Sequence, residues 1–138
     1  MTAAYDHIEI AGGDTATPLN LEKRIRFIAP FLSPGATKLL DCGCGAGEYV
    51  HALHHRYQID AFGIEYLEEK VRHAQACNPS AERIQQGNIE DIGFPDDTFD
   101  VVLLNEVLDH VPGESEALFE VNRVLRQGGT LILFSPNR

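Results

Sequence analysis

The chain has 138 residues, of which 43% are hydrophobic and 23% are charged. This length and composition predict one domain whose core needs no disulfide or metal, and they exclude a disordered chain. The net charge of −10 argues against a nucleic-acid partner, because an acidic chain repels phosphate groups and its basic residues do not cluster strongly.

Residues 1–18 are polar and show no clear period, so we predict a mobile N-terminal arm, followed by a single domain over residues 19–138. No apolar run approaches the length of a membrane span, and the first ten residues lack the apolar stretch of a secretion signal. Three cysteines cannot all pair, and a reducing, cytoplasmic setting fits them best.

Apolar periodicity in the rest of the chain predicts helices that alternate with short strands. Helices are expected over about residues 21–32, 47–57, 67–76 and 114–126, and strands over 38–41, 59–65, 83–87, 99–105 and 130–135. Such alternation indicates an α/β fold with a doubly wound, mostly parallel sheet. Ligands of such sheets bind beyond the carboxyl ends of the strands.

A glycine-rich segment follows the first predicted strand and opens a helix. Gly43, Gly45 and Gly47 allow positive φ angles and let a ligand approach the backbone closely. The last glycine of the dinucleotide fingerprint is missing, since Glu48 stands there, and the carboxylate of Asp41 would repel a pyrophosphate. A ligand that carries positive charge and no phosphate, such as S-adenosylmethionine, suits this loop better.

Glu65 ends the second predicted strand, where a carboxylate can accept hydrogen bonds from both hydroxyls of a ribose. The plain structural alternatives are that Asp41 caps a turn and that Glu65 is a surface acid. Found together at two strand ends around the glycine loop, the two acids favour a ligand that contains a nucleoside.

Four segments, in chain order, carry recognisable motifs: residues 39–47, 87–102, 105–111 and 125–131. They resemble motifs of the class I S-adenosylmethionine-dependent methyltransferases, above all small-molecule enzymes with a ubiquinone/menaquinone-type domain. The resemblance implies a Rossmann-like sheet with strand order 3-2-1-4-5. It also implies S-adenosylmethionine as cofactor, S-adenosylhomocysteine as product, and methyl transfer to O, N or C of a small molecule.

The resemblance also implies a set of cofactor-binding residues. The methionine end would meet Asp41, Gly43, Gly45 and the backbone of Asn105, and the ribose and adenine would meet Glu65, Tyr66, Asn88 and Ile89. Many family members have aspartate at the position of Asn88. Its amide oxygen can still accept a hydrogen bond from the adenine amine, but without charge assistance.

His110 is the predicted catalytic residue, because a histidine after the fourth strand would lie near the transferred methyl group and could act as general base. Packing at the start of the next segment is its structural alternative. Weaker candidates are Glu106 for the pocket, Arg24 or Arg26 for the methionine carboxylate, and Tyr5 for closing over the site.

No metal site is predicted. His51 and His55 share the i,i+4 spacing of zinc ligands, but no third ligand is evident, so with His54 they are interpreted as surface histidines. Cys42 and Cys44 are expected on opposite sides of a strand end, where they cannot share a metal ion.

The family usually places two further strands, an antiparallel hairpin, after the fifth strand, and this chain ends with its fifth strand. We therefore expect either a fragment of a longer enzyme or a homodimer that covers the exposed apolar edge of that strand. Two other functions stay open. One is a cofactor-binding module without independent catalysis, and the other is a nicotinamide oxidoreductase, which Asp41 and Glu48 oppose.

Overall fold

The computed structural model describes residues 5–11 and 18–135, and within them it shows one six-stranded sheet with helices on both faces. The strands are β1 (Tyr5–Ala11), β2 (Lys38–Cys42), β3 (Asp60–Glu65), β4 (Ile84–Gln86), β5 (Phe99–Asn105) and β6 (Leu125–Phe134). The helices are α1 (Pro18–Ile28), α2 (Glu48–Tyr57), α3 (Glu68–Cys77) and α4 (Glu114–Val124). In this part of the chain, no helix combines the length and the apolar character that crossing a membrane requires.

The sheet order is β1-β6-β5-β2-β3-β4, and every pair of neighbouring strands is parallel. With β2 to β6 counted as strands one to five, this contains the predicted order 3-2-1-4-5, which is confirmed. Because the strands run in one direction, the carboxyl ends of β2, β3 and β5 lie at the same edge of the sheet. The segments that follow these ends form the candidate site.

The N-terminal segment differs from the prediction. Tyr5–Ala11 was expected in a mobile arm, but it forms β1 and pairs in parallel with β6, with Ala11 opposite Phe134. Polar and apolar residues alternate over residues 7–10 of this segment, a short stretch of the period-two pattern of a strand. The remainder of the predicted arm, residues 1–4 and 12–17, lies outside the described residues.

The position of β1 also corrects the expectation for the sheet edge. An open apolar edge was predicted at the last strand, here β6, but β1 pairs with β6 along most of its length. The homodimer predicted through that edge therefore loses its structural basis.

Each face of the sheet has its own hydrophobic core, because successive side chains of a strand point to opposite faces. Leu39 and Leu103 lie in the core beneath α1, α2 and α3, whereas Leu40 and Val102 lie in the core beneath α4. Cys44 belongs to the first core and Cys42 to the second, so the two thiols are separated as predicted.

The boundary between α4 and β6 lies earlier than the sequence predicts. The helix was expected to end at Arg126, before a glycine pair, but Leu125 already has extended backbone angles and pairs with Phe99. Gly128 takes a positive φ of 82° inside an irregular start of β6, and the register shifts between Phe99 and Val101. The glycines therefore accommodate an irregularity in a strand and do not end the helix.

Candidate functional site

The glycine loop connects β2 to α2 at the carboxyl edge of the sheet. The backbone N–H groups of Gly43 and Cys44 both donate to the carbonyl of Ile64 in β3, at 2.8 and 3.0 Å. Gly43, Gly45 and Gly47 all have positive φ, which L-residues rarely adopt. The loop is thus held against β3 in a conformation that favours glycine, as the motif predicts.

Gly47 is the most tightly confined residue of the loop. Its φ is 82°, and an added Cβ would lie 2.1 Å from Cδ1 of Ile84 and 2.7 Å from Nδ2 of Asn78. Gly35 has a similar φ of 77°, but nothing lies within 4 Å of its Cβ position. A substitution at Gly35 therefore tests backbone strain alone, whereas one at Gly47 tests strain together with steric crowding.

We expect Gly47→Ala to lower the free energy of unfolding by about 2–5 kcal/mol, the sum of left-handed strain and overpacking. Gly35→Ala is the matched control and should lose only about 1–2 kcal/mol, the strain part. Urea unfolding of both variants measures the two losses. Equal losses would show that Gly47 is not confined as described.

Asp41 lies at the end of β2 directly beneath the loop. It is 1% exposed, and its Oδ1 is fully buried without a hydrogen-bond partner in the described structure. Burial, followed by the nearby charges of Glu48 and Glu65, raises the pKa of Asp41 well above the ordinary value. A cationic group that reached Oδ1 would supply the missing partner and stabilise the charged form.

Glu65 ends β3 and is 7% exposed. Its Oε1 accepts the N–H of Gly45 and its Oε2 accepts the N–H of Leu67, both at 2.9 Å. These two hydrogen bonds place Glu65 beside the loop. It is a structural acceptor for the loop as well as a candidate ligand, and each oxygen keeps a further lone pair for another donor.

Arg24 of α1 extends to the carboxyl edge of the sheet, where β5 ends. Its side chain is 6% exposed and packs over the ring of Phe134, with Cζ 4.7 Å from the ring centroid. Nη1 donates to Oδ1 of Asn105 and, at 3.2 Å, to the carboxylate of Glu106, whereas Nη2 is buried without a partner in the described structure. Arg26, the other candidate cation of this helix, is exposed.

Tyr49 of α2 lies beside Arg24 and Asn105, and with Asp41 these side chains form the buried polar group of the site. Tyr49 was not predicted from the sequence. It is 7% exposed. Burial raises the pKa of the Tyr49 hydroxyl, while the neighbouring Arg24 and Asn105 side chains partly offset that increase. A signal for Arg24 was present, because Leu21, Arg24 and Ile28 share the spacing of the buried stripe of α1.

The remaining predicted site residues follow the ends of β3, β4 and β5. Tyr66 follows Glu65 and is 67% exposed, and Ile89 is 8% exposed. Asn88 already accepts the N–H of Glu90 at Oδ1, at 2.9 Å, so one lone pair of that oxygen remains. His110 ends a short 3₁₀ turn after β5 and is exposed, and no described contact joins its side chain to the buried group.

The histidines of α2 lie outside this edge. The rings of His51 and His55 stack with centroids 5.3 Å apart, and Nδ1 of His51 lies 2.8 Å from Oγ of Ser80. Among the residues that the structure describes, no group of three histidine, cysteine or acidic side chains is placed to hold a metal ion.

Comparison with known proteins identifies the same segment of the chain. The model of the family described as "Methyltransferase domain" matches residues 40–133, from β2 to β6. A Mycolicibacterium smegmatis protein named "Probable S-adenosylmethionine-dependent methyltransferase" is 34% identical over 100 residues, which cover 72% of this chain and 38% of that protein. The ubiquinone biosynthesis O-methyltransferase of Methylococcus capsulatus is 31% identical over 119 residues, covering 83% and 50%.

Solved structures show the same fold. The YcgJ protein of Bacillus subtilis superposes with a TM-score of 0.72 at 29% identity, over 85% of this chain and 50% of that one. The [4+2]-cyclase SpnF superposes with a TM-score of 0.74 at 23% identity, over 92% and 50%, a likeness of fold alone. The chain spans about half the length of these proteins, or less.

Proposed function

Because this chain belongs to the methyltransferase-domain family, whose relatives depend on S-adenosylmethionine, we propose that it binds this cofactor and transfers the methyl group to a small-molecule acceptor.

One observation carries the proposal: a buried acid and a buried base at the carboxyl edge each keep an unpartnered atom, Oδ1 of Asp41 and Nη2 of Arg24. Buried polar atoms are normally paired, so two orphaned atoms of opposite charge indicate a missing ligand. The methionine end of the cofactor carries an ammonium and a carboxylate. Asp41 would receive the ammonium and Arg24 the carboxylate, so the chain fits the group.

The other end of the cofactor fits the neighbouring strand. Glu65 would accept the ribose hydroxyls with its remaining lone pairs, while its bonds to Gly45 and Leu67 hold it in place. The exposed ring of Tyr66 offers a flat surface for adenine, and Asn88 and Ile89 would frame its edge. The backbones of Gly43 and Asn105 would face the methionine part.

The cofactor, when bound, supplies an electrophilic methyl group on a sulfonium centre. The protein's part is to bind and orient it and to admit an acceptor in line with the carbon–sulfur bond. A small acceptor is supported by the net charge of −10, which disfavours nucleic acids. Relatives named for quinone-type substrates, such as 2-methyl-6-phytyl-1,4-hydroquinone methyltransferase of Synechocystis, agree with that class.

Calorimetric titration with S-adenosylhomocysteine tests cofactor binding, and transfer of labelled methyl from S-adenosylmethionine to phenols, hydroquinones and amines tests turnover. We expect S-adenosylhomocysteine to bind and the labelled methyl group to be transferred to at least one acceptor class. In the same assay, His110→Ala should lower turnover and leave S-adenosylhomocysteine binding unchanged if His110 acts as the base. Absence of binding to the folded chain would refute the proposed function.

A further inference from the structure

The outer side of the glycine loop is held by a residue that belongs to none of the motifs. Asn78 follows the last residue of α3, and its Nδ2 donates to the carbonyls of Ala46 and Gly47, at 2.8 and 2.9 Å. Both N–H bonds of one amide are thus used on two consecutive carbonyls of the loop. The backbone N–H of Asn78 donates to Ala74, which fixes the residue to the end of the helix.

The Asn78 side chain is itself held in place. Its Oδ1 accepts the N–H of Ser80 at 2.8 Å, so the orientation of the amide is fixed from within its own turn. Ser80 is 4% exposed, and its Oγ forms a 2.8 Å hydrogen bond with Nδ1 of His51 on α2. The turn 78–80 is therefore hydrogen-bonded to the glycine loop through Asn78 and to α2 through Ser80.

The loop needs such a restraint because its glycines by themselves constrain the backbone only weakly. Three glycines with positive φ leave the unbound backbone much conformational freedom, and that freedom must be lost before a ligand can be held. On the inner side, the amides of Gly43, Cys44 and Gly45 are bound by β3 and its terminal acid Glu65. Asn78 fixes the opposite side, where the loop joins α2.

We propose that Asn78 is a positioning residue of the cofactor site: its amide clamps the carbonyls of Ala46 and Gly47 and thereby holds the glycine loop in the conformation that receives the cofactor. The proposal rests on the proposed function, since it assumes that the loop binds S-adenosylmethionine. Through the bond between Gly45 and Glu65, the same clamp also sets the position of the candidate ribose ligand.

Asn78→Asp tests the clamp with almost no change of shape. The carboxylate keeps the acceptor for the N–H of Ser80, but it places an oxygen where the amide donated to two carbonyls. Gln75→Glu adds the same charge at an exposed position of α3 and is the matched control. Asn78→Ala removes the donors without adding charge and replaces Asn78→Asp if that variant does not fold.

Three measurements are made well below the unfolding temperature: calorimetry with S-adenosylhomocysteine, amide hydrogen exchange and steady-state kinetics. We expect the dissociation constant to rise on the order of tenfold in the Asn78 variants and not in Gln75→Glu. Exchange at Gly45 and Gly47 should speed up while exchange in β5 stays as in the parent. In steady-state assays, the cofactor KM should rise without a fall in kcat at saturation.

Unchanged affinity and unchanged loop exchange in a folded Asn78 variant would overturn the proposal. Faster exchange throughout the sheet would also overturn it, because Asn78 would then support the fold in general. If the parent chain does not bind S-adenosylhomocysteine, the proposed function fails, and the role of Asn78 in positioning the cofactor fails with it. Exchange at Gly45 and Gly47 then decides separately whether the residue holds the loop.

Discussion

Asp41→Asn is expected to stabilise the folded chain and, at the same time, to weaken the binding of S-adenosylhomocysteine. A charged carboxylate at this buried position has lost its hydration, and Oδ1 has gained no partner in the described structure. The amide keeps the shape and removes the charge. We expect the free energy of unfolding at pH 8 to rise by about 0.5–2 kcal/mol, as is common when a strained functional site is relieved.

Binding should change in the opposite direction. The variant loses a charge-assisted contact to the ammonium of the ligand, a contact of about 1.5–3 kcal/mol. The dissociation constant should therefore rise on the order of 10- to 100-fold. 5′-Methylthioadenosine has no amino-acid end, so its affinity should be the same for the variant and the parent.

The pH dependence of stability follows from the same residue. Burial, then the charges of Glu48 and Glu65, raise the pKa of Asp41 well above its ordinary value. The folded chain therefore keeps a proton that the unfolded chain loses near pH 4, so this residue makes stability fall as the pH rises from about 4 towards the raised pKa. Asp41→Asn removes that fall, and its advantage over the parent should grow with pH across this window.

Urea unfolding at pH 5 and pH 8, combined with calorimetry, measures both effects. Glu69→Gln removes one negative charge from an exposed position of α3 and controls for the change of net charge. A less stable Asp41→Asn variant would show that the carboxylate has a partner that supports the fold. Unchanged affinity for S-adenosylhomocysteine would remove Asp41 from the site.

Local patterns account for the parts of this molecule that were predicted from the sequence. The strand β5, Phe99–Asn105, contains the apolar run 101–104, and it was predicted with its observed bounds. The acids Asp41 and Glu65 are recognisable because each lies at the end of a strand, and the glycine loop is recognisable because it follows one. Right-handed parallel topology then brings them to one edge without any knowledge of side-chain contacts.

The features that the sequence did not predict depend on contacts between segments that are distant along the chain. The amide of Asn78 meets the loop across 31 and 32 residues, and Arg24 meets Asn105 across 81. No pattern near Asn78 distinguishes it from an ordinary residue at a helix end. β1 was missed for a related reason, since its pairing depends on the backbone of β6 and on an alternation spread over only a few residues.

Arg24→Met is expected to weaken S-adenosylhomocysteine binding on the order of 10- to 100-fold, because a charged hydrogen bond to the ligand carboxylate is lost. The decarboxylated analogue, which keeps the ammonium, should bind the variant and the parent equally. Arg24→Lys should remain impaired, since an ammonium cannot contact Asn105, Glu106 and a carboxylate in the plane that a guanidinium offers. Arg26→Met, on the exposed side of the same helix, is the matched control.

Arg24 also supports the fold, so the two roles must be separated. Its removal leaves the partly buried carboxylate of Glu106 without its partner, and we expect about 1–3 kcal/mol of stability to be lost. The second substitution Glu106→Gln removes that orphaned charge and should return most of the stability in a double-mutant cycle. Affinity for S-adenosylhomocysteine should stay low in the double variant. If affinity returns together with stability, Arg24 acts on the ligand only through the fold, and the carboxylate contact assigned to it is wrong.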